Sequence, residues 1–161
     1  MAFRLAALGR QAVLSGGLSN LFDGVGNNLN IVFKTGSVPA DVDTVSPNST
    51  IASLAAADEG ASNVNGTYAD PSDDATDATA EIRNPITGNA SADHDYDSGG
   101  DDSGIAEIFV GSGRTTADKV GDLVVGSANS TSPGNLDFLW ASDTIVNGGL
   151  LTITALTLTQ S

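Results

Sequence analysis

The sequence predicts a mainly β chain, a β-sandwich or jelly roll with a short N-terminal helix and a long acidic loop or arm. Three observations carry this expectation. The last 15 residues, Asn147 to Ser161, alternate Leu151 and Ile153 with Thr152 and Thr154, then Leu156 and Leu158 with Thr157 and Thr159. That is the period-2 pattern of a half-buried strand made of strand-favouring residues. The 19 glycines stand among abundant Ser, Thr, Asn and Asp, which marks many turns between short strands. Of the 20 acidic residues 17 are Asp, a residue of turns and loops where Glu would favour helices.

In the closing stretch the two apolar sets are out of phase, Leu151 and Ile153 being odd and Leu156 and Leu158 even. A continuous strand would therefore turn its apolar face over near Ala155. Either a bulge restores one face, or the strand is buried on one side early and on the other late.

A chain of 161 residues with 40% hydrophobic residues suffices for one domain with a core, built mostly of Leu, Ile, Val and Ala because aromatics are few. Cysteine is absent, so neither a disulfide framework nor a thiolate site is available. We read residues 1–25 as an N-terminal helical segment and residues 26–161 as a single β domain carrying an acidic insertion at about 58–102.

Charge is unevenly spread. Residues 1–34 hold Arg4, Arg10 and Lys34 against Asp23, whereas residues 35–161 hold Arg83, Arg114 and Lys119 against 19 acids. Such a body repels nucleic acid. Its Lys-poor acidity suits either high salt, where screening removes self-repulsion, or an acidic protein of ordinary solubility. No stretch approaches the ~20 apolar residues that span a bilayer. The opening run is interrupted by Arg4 and does not read as a secretory signal, so no membrane association or export is expected.

The elements follow in order. From Phe3 to Phe22, Leu5 and Leu8 and then Leu14, Leu18, Leu21 and Phe22 recur at helical spacing, in one helix or in two pieces broken at Gly16-Gly17. Leu29 to Lys34 alternates Leu29, Ile31 and Phe33 against Asn30, Val32 and Lys34, and Thr50 to Ala55 is a second strand. Asp58 to Asp102 is sparse in large apolar residues, with only Ala80 to Arg83 and Ile86 able to pair or pack. A segment of that composition is a long loop or arm, either disordered or ordered by a partner, and the second is expected if the protein lives in an assembly. Strands return at Gly104 to Val110, Asp118 to Gly126, Leu136 to Trp140 and Asp143 to Val146.

Chemistry-bearing patterns are few. Asp93, Asp95 and Asp97 alternate as in a calcium loop, and they are the candidate oxygen ligands for a metal. Ser98 stands where that loop needs a turn Gly and Gly104 where it needs a bidentate Glu, which favours a solvated acidic loop. His94, the only histidine, lies between two Asp residues with no nucleophile pattern nearby, and reads as an exposed loop residue. No catalytic constellation and no cofactor motif is legible, so the chain is not expected to be an enzyme. The sequons at Asn48, Asn65, Asn89 and Asn129 accord with chance in so Asn-rich a chain. Phe138 and Trp140 mark either a contact surface or core packing. Arg4 and Arg10, beside the stripe Leu14, Leu18, Leu21 and Phe22, make the N-terminal segment a docking candidate, or else a cover for an open end of the sheet.

The order of parts resembles small virion proteins of tailed viruses. It runs from a short helix to Leu29-Asn-Ile-Val-Phe-Lys-Thr-Gly-Ser-Val-Pro-Ala-Asp and Ser49-Thr-Ile-Ala-Ser-Leu. It continues with Gly104-Ile-Ala-Glu-Ile-Phe-Val, Val120-Gly-Asp-Leu-Val-Val-Gly and the Thr/Leu-alternating end. The resemblance covers residues 1 to about 54 and 104–161. It implies a head decoration, or cement, protein on the capsid exterior, met in the host cytoplasm before assembly. Its partners would be the major capsid protein and copies of itself. A tail, collar or fibre component is the alternative.

Overall fold

Leu29 to Thr35 lies at the centre of the molecule, hydrogen-bonded on both sides. The computed structural model describes residues 4–14, 29–56, 78–82, 86–97, 104–130, 136–154 and 156–160. In chain order the elements are β1 (Arg4–Leu5), α1 (Ala7–Leu14), β2 (Leu29–Thr35), β3 (Thr50–Ala56), β4 (Ala78–Ile82), β5 (Ile86–Asn89) and β6 (His94–Asp95). They continue with β7 (Gly104–Val110), a 3-10 turn (Thr116–Asp118), β8 (Lys119–Ser127), β9 (Phe138–Trp140), β10 (Thr144–Ile145), β11 (Leu150–Ile153) and β12 (Leu156–Gln160).

Eight strands form one sheet in the order β1-β8-β7-β2-β3-β5-β11, with β9 also beside β8. Its pairings are antiparallel except β8 with β9. One face carries Leu29, Ile31 and Phe33 of β2, Ala52 and Leu54 of β3, Ala106 and Ile108 of β7, and Leu123 and Val125 of β8, all in the apolar core. The β6–β10 ribbon adds Tyr96 and Ile145 to that core, so it closes the face as a second layer. The fold is mainly β and sandwich-like, as the alternation and turn composition predict.

The second face departs from expectation. The alternation of β2 predicts a half-buried strand, yet Asn30, Val32 and Lys34 are buried as well as Leu29, Ile31 and Phe33. The segment 36–49, rich in turn formers, lies over this face and fastens to it through charged side chains. Buried charges are tolerated there because each meets an opposite charge or a backbone carbonyl.

Three further expectations are corrected or refined. Of the N-terminal segment, Ala7–Leu14 is helical and follows the short β1, while residues 15–28 lie outside the described residues. The closing stretch is two strands: β11 pairs with β5 in the main sheet, and β12 pairs with β4 in a separate ribbon. Three residues separate β4 from β5 but two separate β11 from β12, so the ladders are offset by one residue at the place where the phase of the sequence breaks. Within the acidic insertion, residues 86–97 belong to the body: Ile86 and Tyr96 are fully buried and β5 bridges β3 to β11. Residues 57–77, the centre of the expected arm, lie outside the described residues.

Candidate functional site

The register across β1, β8, β7 and β2 aligns Arg4, Asp122, Glu107 and Val32 in one row on the second face. Lys34 stands one pleat away on β2. Lys119 joins the same face because β8 shifts register beside it: Ile108 pairs with Gly121 but Phe109 with Lys119, leaving Val120 as the extra residue.

The result is a buried charge cluster. Glu107, Lys119 and Asp122 have no exposed surface, and Lys34 is nearly as enclosed. Lys34 Nζ lies 2.6 Å from Glu107 Oε2, and Lys119 Nζ lies 2.9 Å from Glu107 Oε1 and 2.8 Å from Asp122 Oδ1. Both lysines also donate into the covering segment, Lys34 to Ser46 O and Lys119 to Thr44 O, each at 2.6 Å. Ser46 N donates to Glu107 Oε1 at 2.7 Å. The Lys119–Asp122 contact is an attraction of charges rather than a well-directed hydrogen bond, and Asp122 Oδ2 finds no donor in hydrogen-bond geometry. Burial accordingly pushes the Asp122 carboxyl up, Lys119 opposes this, Glu107 adds to it and Arg4 opposes it.

The N-terminal candidates are bound to the same segment. Arg4 Nη2 donates to Pro39 O at 2.9 Å, and Arg10 Nη2 pairs with Asp43 Oδ2 at 3.0 Å while Nη1 donates to Leu5 O at 2.7 Å. Asp43 Oδ1 accepts from Ala7 N at 2.6 Å, satisfying a donor in the first turn of α1. These two bonds, the backbone one first, hold the Asp43 carboxyl below its ordinary value. Of the apolar stripe, Leu14 is 88% exposed, and Leu18, Leu21 and Phe22 lie outside the described residues. The helix instead buries Gly9 and Ala12, with Leu8 and Val13 partly covered against the core. A helix of this kind covers the chain's own sheet.

Phe138 and Trp140 face inward. Their rings stand 5.8 Å and 4.8 Å from that of Phe33, so both pack on the core while Leu139 between them is 56% exposed. His94 is buried, its ring edge-on to Tyr96 at 4.3 Å, which corrects its reading as an exposed loop residue. Burial pushes the Tyr96 phenol up and the Trp140 indole N–H offsets part of the rise.

Asp93, Asp95 and Asp97 are exposed, but two of them serve the backbone. Asp93 Oδ1 accepts from Asn147 N at 2.8 Å and Asp95 Oδ1 from Asp97 N at 3.0 Å. Among the described residues no three His, Asp or Glu side chains are grouped to hold a metal.

Sequence reasoning missed the buried cluster. One signal was present: Glu107 is the single charge inside the otherwise apolar run Gly104 to Val110. A lone charge in a strand buried on both faces needs a partner. The partners were unreadable, because Lys119 and Asp122 share a face only through the bulge.

Comparison of the chain with protein families, curated proteins and solved structures found no match. Fold and site together define a mainly β, sandwich-like protein in which charged side chains fasten one of its own loops.

Proposed function

We propose that this protein is a non-enzymatic structural component of a virus particle, a decoration or cement protein on the outer surface of a tailed-virus head. The observation that carries the reading is the partition of charge. Arg4, Arg10, Lys34 and Lys119 are all engaged with segment 36–49 or the carboxylates beneath it, and Arg114 reaches Ser53 Oγ at 3.0 Å. The basic groups thus rivet the body while Asp41, Asp93, Asp95 and Asp97 face water.

A rigid acidic shell of that kind suits a protein that coats a surface and turns over no substrate. The order of strands that resembles small virion proteins supplies the particle as the setting, with the major capsid protein and further copies of this chain as partners.

Counting this polypeptide against the major capsid protein in purified particles is the test. On the order of hundreds of copies per particle is the expected outcome for a decoration protein. About six or twelve copies, the content of a symmetric ring, would assign it to a tail, collar or fibre instead. Its absence from particles would end the reading.

A further inference from the structure

The two ends of the main sheet are treated differently. At one end the outer side of β8 is occupied twice, by β1 at Gly121–Asp122 and by β9 at Val125–Ser127. At the other end β11 pairs with β5 alone among the described residues. An open edge offers a row of unpaired N–H and C=O groups, and proteins ordinarily blunt such an edge with charge, Pro or a bulge.

The edge strand Leu150-Leu-Thr-Ile carries none of these devices. Leu150 is 69% exposed and Val146, across the tight turn that leads into it, is 62% exposed. The turn itself is closed by Gly149 N donating to Val146 O at 2.9 Å. From Thr144 to Ser161 the chain has 18 successive residues without Asp, Glu, Lys, Arg or His, the longest such run in a sequence of net charge −14.

We infer that β11 is a self-association edge, at which a second copy of this chain adds its own β11 antiparallel about a two-fold axis. Charge selects this occupant. Two copies of so acidic a body repel one another over most of their surfaces, and the neutral edge is where they can approach without juxtaposing carboxylates. A basic partner would find nothing to pair with there. Identical strands meeting about a two-fold axis satisfy each other's edge groups and set the exposed leucines against apolar neighbours. A four-residue strand makes a small contact, so association is weak in dilute solution and is strengthened where copies are held close together. The inference does not depend on the virion reading.

Sedimentation equilibrium of the full chain tests it, from about 10 µM to about 1 mM protein in about 1 M NaCl, where long-range repulsion is screened. The expected result is a monomer–dimer equilibrium that Leu150→Glu with Thr152→Glu weakens by at least about tenfold. Leu139→Glu, which puts one such charge on the exposed apolar residue of β9, should leave it unaltered. Both Leu150 and Thr152 are exposed, so the altered protein is expected to keep its far-UV spectrum. Should it unfold, amide exchange at Leu150–Ile153 of the unaltered chain decides, by slowing as protein concentration rises. A monomer at every concentration, a dimer indifferent to the edge variant, equal sensitivity to Leu139→Glu, or exchange independent of concentration overturns the inference.

Discussion

Lys119 and Asp122, three residues apart on one strand, meet at 2.8 Å on the same face of the sheet, and neither has any exposed surface. Strand parity would send them to opposite faces. The extra residue Val120 reverses the phase between them, so the bulge is what assembles the cluster with Glu107. Lys119 Nζ then lies within 2.9 Å of three oxygens, donating a hydrogen bond to Thr44 O and pairing by charge with Glu107 Oε1 and Asp122 Oδ1.

Removing that ammonium should be costly. In Lys119→Met the carboxylates of Glu107 and Asp122 remain buried with one cation, Lys34, in direct contact with Glu107. We expect a loss of about 3–5 kcal/mol in denaturant unfolding, the magnitude found when one partner of a buried pair is deleted. Adding Asp122→Asn to Lys119→Met should recover part of the loss. If the two changes simply add, the groups are not coupled as described.

Acidity probes the same site with a definite sign. The Asp122 carboxyl is raised above its ordinary value of 3.8, so the folded state holds its proton more tightly than the unfolded chain does. This contribution is fully present below pH 3.8 and is lost as pH rises through the folded value. Asp43, Asp118 and Asp143 act oppositely: lowered by hydrogen bonds, they stabilise above the unfolded value and lose that effect as pH falls through the folded one. Asp122→Asn removes only the first contribution. The variant should therefore gain stability relative to the unaltered protein as pH rises above 3.8. A difference that stays flat with pH would refute the assignment.

Much of this fold was legible. The alternations at Leu29 to Lys34 and Gly104 to Val110 locate β2 and β7, and the phase break at Ala155 marks where β11 ends and a new ladder begins. Burial on the second face was not legible, since Lys34, Glu107 and Asp122 read as a solvent side. The lysines of the cluster donate to the backbone carbonyls of Ser46 and Thr44 and Glu107 accepts from the Ser46 N–H, and backbone partners in a turn-rich segment leave no residue-type signature in a sequence. Tyr96 and His94 were hidden for a related reason. Flanked by Asp93, Asp95 and Asp97, they look like loop residues, yet β6 turns one side chain in and the next out.

The N-terminal segment should be structural before it is anything else. Leu5, Ala6 and Ala12 are buried, Ala6 N donates to Val120 O at 2.8 Å, and Arg4 and Arg10 hold segment 36–49. Deleting residues 2–12 should therefore lower the melting temperature strongly rather than leave a folded protein that has merely lost a contact. A subtler variant is Gly9→Ala. A Cβ at Gly9 would run into Val120 O and come within 2.8 Å of Leu5 Cδ2, so α1 would have to lift from β8. Overpacking of this kind costs about 1–3 kcal/mol, and an unchanged denaturation midpoint would show that α1 does not pack on β8 as described.

Salt should stabilise the protein, and two opposing effects decide by how much. Residues 35–161 carry 19 acids and three basic groups, so folding gathers like charges whose repulsion is long-ranged. Screening removes it over the first tens to hundreds of millimolar, as the Debye length falls to about 10 Å at 0.1 M. Against this, screening weakens exposed ion pairs such as Arg10–Asp43, whose side chains are 50% and 37% accessible, but such pairs contribute little. The Lys34–Glu107–Lys119–Asp122 cluster is out of reach of mobile ions. Net repulsion therefore wins, and the melting temperature should rise from low salt upward. Because the gain arises on the surface, Asp122→Asn should show the same rise. A flat or falling melting temperature in the unaltered protein, or a rise that disappears in Asp122→Asn, would mean that surface repulsion is not what salt relieves.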